Sequence, residues 1–175
     1  MAHFDGSVRL AVEDDVAALA EIYNHYVRTS QATFEPVDLE ERRTWLAEHA
    51  GGRHRVFVAT SDDRVIGFAR SGRYRTRPAY ETTVETGAYV DPSFVGRGVG
   101  SALYRALFEA LENEDVHRAL AGIALPNDAS VALHERFGFR RVAHFSEQGR
   151  KFGRYWDVDW YERPIGNGGA ITTPV

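Results

Sequence analysis

VETGAYVDPSFVGRGVGSALY, residues Val84 to Tyr104, decides how the chain folds. It reads as a strand over Thr83–Val90, a turn opened by Asp91-Pro92, a glycine-rich loop and then a helix. A helix N-terminus offers unpaired backbone N–H groups and a partial positive charge, which together attract phosphate. Glycines let the backbone close on an anion with no Cβ in the way. The run Gly96-Arg97-Gly98-Val99-Gly100-Ser101 sits where that helix begins, so this stretch is expected to hold a phosphorylated ligand.

Two common phosphate loops do not fit. A Walker loop ends in Gly-Lys followed by Ser or Thr, and no lysine or threonine follows these glycines. A dinucleotide fingerprint needs G-x-G-x-x-G in the first strand–helix unit and an acidic residue about 20 positions on. Here the spacing is G-x-G-x-G, past the middle of the chain.

The rest of the chain bounds the answer. Its 175 residues suit one domain over residues 1–164, with a Gly-, Pro- and Thr-rich tail over 165–175 that is expected to be flexible. A net charge of −4 with no basic block argues against nucleic-acid binding. The absence of cysteine excludes disulfides, thiolate catalysis and zinc–thiolate sites. The start MAHFDGSVRL has no secretory pattern, and no apolar run approaches a membrane span, so a cytoplasmic protein with no membrane partner is expected. The seven histidines lack metal-ligand spacing, and no metal site is expected.

Taken in order, Val8 to Ala11 reads as a strand, and Val16, Leu19, Ala20, Tyr23, Tyr26 and Val27 as the apolar face of a helix ending near Arg28. A loop over Thr29 to Asp38 leads to a helix over Leu39 to His49 that stops at Gly51-Gly52. Strands follow over Val56 to Ala59 and from Val65 to Arg70, joined by an Asp62-Asp63 turn. After the central strand come a helix over Ser101 to Glu112 and a strand over Arg118 to Leu125. A short helix follows over Ala129 to Phe137, then strands over Arg140 to Phe145 and Arg154 to Tyr161, with a turn at Gly149 to Gly153.

The motif R-G-x-G after a strand and Asp-Pro resembles the pyrophosphate loop of the GNAT N-acetyltransferases, [QR]-x-x-G-x-[GA]. The window here is Val95 to Gly100, and Val95 departs from the usual Gln or Arg. The order β-α-α-β-β-β-α-β-α-β-β also matches, over residues 7 to 162. The resemblance implies an α/β (α+β) acyl-CoA N-acyltransferase fold, with a mixed, mostly antiparallel central sheet flanked by helices. It implies acetyl-CoA as co-substrate, its pantetheine arm along Ala88, Tyr89 and Val90 and its pyrophosphate at Gly96, Arg97, Gly98, Val99, Gly100 and Ser101. Asn127 matches an asparagine that hydrogen-bonds the arm, and it also reads as a plain helix cap. His134 stands where the family usually has a general-acid tyrosine; Tyr104 is a lesser possibility that also reads as packing.

Glu85 is the candidate base. It lies near the middle of an alternating strand, where burial disfavours a charge and suits a carboxylate to taking up a proton, directly or through water. The rival reading is a glutamate on a solvated face.

Longer blocks narrow the resemblance: IYNHYV (Ile22–Val27), TFEP (Thr33–Pro36), RTRPAYETTVE (Arg75–Glu85), IALPNDASVALHERFGF (Ile123–Phe139) and GRKFGRYWDV (Gly149–Val158). They look like the phosphinothricin and methionine sulfoximine/sulfone acetyltransferase subgroup. That implies a small amino acid as acceptor, acetylated on its α-amine by direct attack, and a homodimer. A guanidinium is needed for the acceptor carboxylate, and Arg75, then Arg77, are the first choices. Phe34 and Glu35 could wall the pocket, and Thr86 and Gly87 adjoin the reacting centre. Two other readings stay open: another small amine as acceptor, or a CoA-binding regulatory module without turnover.

Overall fold

A computed structural model of the chain describes residues 4–166. Its framework is an eight-stranded mixed sheet. Strands β1 (Ser7–Leu10), β3 (His54–Ser61), β4 (Arg64–Arg73) and β5 (Thr83–Val90) form one antiparallel arm, with the two-residue β2 (Ala50–Gly51) beside β3. Strands β6 (Arg118–Ala124), β8 (Arg154–Pro164) and β7 (Arg140–Lys151) form the other. The arms meet only where β5 and β6 pair in parallel, over Thr83↔Arg118, Val84↔Ala119 and Glu85↔Leu120. Beyond Glu85 the two strands part, because β4 holds β5 to one side and β8 holds β6 to the other.

Alternation along the strands divides the core into two layers. Val56, Val58 and Phe68 pack with Val16, Leu19 and Ile22 of α1 (Val16–Thr29) and Leu46 of α2 (Leu39–Ala47). Ala59, Ala69, Val84, Ala119 and Ile123 pack on the other face against Val99, Leu103, Leu107 and Leu111 of α3 (Val99–Leu111). Ile66 joins this second layer because the β3–β4 register shifts at Ala59/Thr60, leaving Ile66 unpaired as a bulge.

The elements follow the expected order, with three local differences. α2 ends at Ala47, and Ala50-Gly51 turns back as β2, so the diglycine begins a hairpin instead of capping the helix. α3 starts at Val99 because Gly98, at φ 84°, supplies the left-handed residue that caps it. The last hairpin turns at Phe152-Gly153, both at positive φ, so Gly149 lies within β7. Of the expected tail, Ile165 is buried and its N–H bonds His117 O at 3.1 Å. Residues 167–175 lie outside the described residues.

The short helix α4 (Asp128–Arg136) is tied to α3 through one buried histidine. His134 Nδ1 donates to Ser130 O at 2.7 Å, so Nε2 accepts from the Tyr104 hydroxyl at 2.8 Å. Burial pushes the imidazole below its ordinary value. The unfolded chain therefore takes up this proton more readily than the folded one, and stability is expected to fall as pH drops below about 6.5. Urea midpoints measured from pH 8 to pH 5 should decline more steeply for the parent protein than for His134→Gln; parallel profiles would rule out His134 as the source.

Candidate active site

The parting of β5 from β6 creates the site. Asp91 N–H donates to Ile66 O on β4, so alternation turns the N–H and C=O of Ala88 and Val90 the other way, into the opening. Leu125 N–H donates to Asp157 O on β8, which likewise turns the backbone of Gly122 and Ala124 inward. Two side chains close part of this gap. Thr86 Oγ1 donates to Leu120 O at 3.2 Å at its narrow end, and Tyr26 Oη donates to Val90 O at 2.6 Å. Tyr89 differs from its neighbours: its backbone faces β4, while its side chain stacks on Phe68 at 5.1 Å.

The glycine-rich loop stands at the wide end. The first N–H of α3 to close a helical bond is that of Ala102, onto Gly98 O at 3.0 Å; those of Val99, Gly100 and Ser101 have no backbone acceptor among the described residues. A Cβ built on Gly96 would meet nothing within 4 Å, so space over the loop is open to a ligand. Arg97 lies against Phe94, and Arg136 reaches across from α4 to donate to Ser101 Oγ at 3.1 Å. Amides, a helix N-terminus and two guanidiniums form a setting that fits a pyrophosphate. Asn127 Oδ1 caps α4 by accepting from Ser130 N–H at 3.2 Å, which leaves its amide NH₂ without a protein partner among the described residues. The cap reading of Asn127 is thus realised in the fold, and its donor side remains available.

On the α1/α2 face a cavity of about 970 Å³ adjoins the opening. Glu85, Thr86, Gly87 and Tyr89 of β5 line it, with Phe68, Arg70, Gly72 and Arg73 of β4 and Gly122, Ala124, Val158 and Trp160 of the far arm. Phe34 and Glu35 close one side. The loop that carries them is held by Lys151, whose Nζ donates to Ser30 O at 2.6 Å and to Thr33 O. A Cβ on Gly149 would come within 2.7 Å of the Phe34 ring, so a larger residue at this strand position would push that ring aside.

Glu85 is half-buried and not solitary: Arg70 Nη2 donates to its Oε1 at 2.9 Å, and Arg70 Nη1 to its backbone O at 3.2 Å. The sequence reading did not see this partner, because it follows from the β4–β5 register that sets Gly87 opposite Arg70. His134 does not reach the cavity; it sits behind Tyr104, which is fully buried and whose hydroxyl burial holds in its protonated form. Arg75 and Arg77 are exposed on the β4–β5 loop and do not line the cavity. The Arg75 guanidinium lies 5.0 Å from the Tyr74 ring.

The functional candidates missed from sequence are Arg136, Arg70 and Arg42, the last buried in the cavity wall. Arg136 falls on the motif helix and was within reach of a 3.6-residue reading; Arg42 carries no local signal.

The sequence model described as the acetyltransferase (GNAT) family matches residues 19–139. A phosphinothricin N-acetyltransferase of Streptomyces coelicolor is 56% identical over 163 residues, covering 90% of this chain and 95% of that one. An L-methionine sulfoximine/L-methionine sulfone acetyltransferase of Salmonella typhimurium is 33% identical over 158 residues, covering 89% and 92%. Among solved structures, a phosphinothricin acetyltransferase from Sinorhizobium meliloti in complex with AcCoA superposes with a TM-score of 0.90 at 30% identity, covering 98% of this chain and 94% of that one. A split sheet with an anion-binding loop at its mouth, together with these similarities, identifies the chain as an acetyl-CoA-dependent N-acetyltransferase of the GNAT family.

Proposed function

We propose that the acceptor is the α-amine of a small amino acid with a tetrahedral polar side chain, phosphinothricin and methionine sulfoximine or sulfone being the reference cases. The observation that carries this reading is the position of Glu85. It is the last β5 residue paired with β6, and its side chain lines the cavity where the cavity meets the opening. An amine entering from the cavity meets a proton acceptor beside the backbone that faces the cofactor.

Acetyl-CoA supplies an activated acetyl thioester, which the neutral amine attacks directly. The amides of Val99, Gly100 and Ser101, with Arg97 and Arg136, hold the pyrophosphate. Ala88 and Val90, with the Asn127 amide, hold the arm, and the Ala88 N–H polarises the thioester carbonyl. Glu85 takes the proton that the ammonium must lose, directly or through a water. Thr86 and Gly87 shape the floor and Phe34 the wall. Arg75 and Arg77, on the loop just beyond Arg73, steer the anionic acceptor toward the mouth. The same reading includes a homodimer and a cytoplasmic location; no helix among the described residues is long and apolar enough to cross a membrane.

Thiol release from acetyl-CoA tests the reading. Turnover is expected with phosphinothricin, methionine sulfoximine and methionine sulfone, and not with spermidine or a peptide amine. Turnover confined to spermidine or peptide would overturn the acceptor; silence with CoA still bound would favour a regulatory module. Glu85→Gln should lower kcat by about 10²–10⁴-fold with the KM for acetyl-CoA retained; an unchanged kcat would remove Glu85 from the mechanism. Gly98→Val forces a β-branched residue into a left-handed cap. It should raise the KM for acetyl-CoA and leave that for the acceptor, as initial rates with each substrate varied in turn would show.

A further inference from the structure

One buried charge in the cavity has no part in the chemistry above. Arg42 is 4% exposed, and its Nε has no hydrogen-bond partner. No carboxylate pairs with it among the described residues. Its guanidinium carbon lies 4.5 Å from the centroid of Trp45, 4.6 Å from Tyr23 and 5.9 Å from Phe68. Aromatic faces attract a cation, but they offer neither a counter-charge nor an acceptor for its N–H groups. A buried charge left in that state is destabilising, and burial indeed pushes this guanidinium down from its ordinary value.

Its position is fixed with some care. Asp38 and Glu41 close a reciprocal cap at the start of α2, with Glu41 N–H donating to Asp38 Oδ1 at 2.8 Å and Asp38 N–H to Glu41 Oε2 at 2.9 Å. The next residue is Arg42, turned inward so that it lines the cavity. Arg70, the neighbouring guanidinium, is already engaged by Glu85. Arg42 and Glu85 thus stand as opposite charges on one cavity wall. Arg42 lies above the Phe68–Tyr89 pair, and Glu85 is four residues back along β5, roughly 13 Å of strand.

Resting on the acceptor class proposed above, we infer that Arg42 is the seat of the acceptor's oxygen group, a positioning residue that binds the far end of the molecule while its amine meets Glu85. The group it takes is either the α-carboxylate or the oxygens of the tetrahedral side chain, which are anionic in a phosphinate and neutral but strongly polar in a sulfone or sulfoximine. Both suit a rigid guanidinium fork.

The test compares Arg42→Met and Arg42→Lys with the parent enzyme in steady-state acetylation and in thermal unfolding of the free protein. Arg42→Met should raise the acceptor KM at least tenfold, with the KM for acetyl-CoA unchanged and Tm not lowered, since an unpaired buried charge is being removed. Arg42→Lys should fall between, keeping the charge but losing the fork. Repeating the comparison with methionine sulfone amide and with methionine separates the two groups. A penalty that disappears with the amide assigns the carboxylate, and one that disappears with methionine assigns the side-chain oxygens. Unchanged acceptor KM in both variants, or a loss of Tm with equal effects on both substrates, would make Arg42 a packing strut and overturn the inference alone. A parent enzyme that acetylates no amino acid would overturn the proposed function, and this inference with it.

Discussion

The parting of β5 from β6 after three residue pairs is the constraint on which the rest of the structure depends. A sheet that opens in its middle leaves backbone donors and acceptors without strand partners, and such groups are costly to bury unsatisfied. The protein closes the opening with side chains only at chosen points, Thr86 onto Leu120 O and Tyr26 onto Val90 O. Between them the backbone of Ala88 faces that of Gly122 and Ala124, ready for an extended polar chain that can act as a surrogate strand. Both helices that follow the parted strands begin near the same end, α3 after β5 and α4 after β6. Their N-termini place the Val99–Ser101 amides and the Asn127 cap beside the opening, so one feature of strand pairing positions both.

How far the sequence could be read follows from where the information is stored. The glycine-rich loop was legible because its geometry is local: consecutive N–H groups, a left-handed residue at Gly98 and a helix start are all encoded within six residues. Glu85 was legible for a similar reason, since strand alternation alone gives it a face. Its partner was not, because the Arg70–Glu85 ion pair needs the β4–β5 register, which is set across the connection over residues 74–82 and carries no local signal. Arg75 looked better placed than Arg70 from sequence spacing, yet it lies on an exposed loop. The hairpin turn was misplaced from Phe152-Gly153 to the whole of Gly149–Gly153, because Phe152 is not a residue that advertises positive φ. Gly149 in fact answers to a long-range neighbour, the ring of Phe34.

Histidine 134 shows a different limit. Its position in the motif suggested a group that meets the substrate, but the fold surrounds it with Tyr104, Phe139 and Tyr161 and gives both ring nitrogens protein partners. A residue in that setting ties α4 to α3 and does not itself reach the cavity. Here it holds the hydroxyl of Tyr104, a group that spacing alone had marked as packing.

The charges in the cavity wall constrain what can enter. Glu85 is bound to Arg70 in a half-buried pair, so an arriving ammonium shares the carboxylate with a guanidinium already present, instead of finding it bare. Of the other charged side chains lining the same wall, Arg73, Glu35 and Glu41 are exposed, and Arg42 alone is buried, so a newcomer that also brings negative charge can answer it. A zwitterion does this; a polyamine would bring several positive charges past those arginines, at a repulsive cost that grows as the site desolvates. Glu35 and Glu41 do not pair with Arg42: Glu35 is exposed at the rim, and Glu41 accepts from Asp38 N–H in the α2 cap. A buried Arg42 with no carboxylate partner among the described residues favours, electrostatically, an entering molecule that carries an anion as well as an amine, before any side chain is compared.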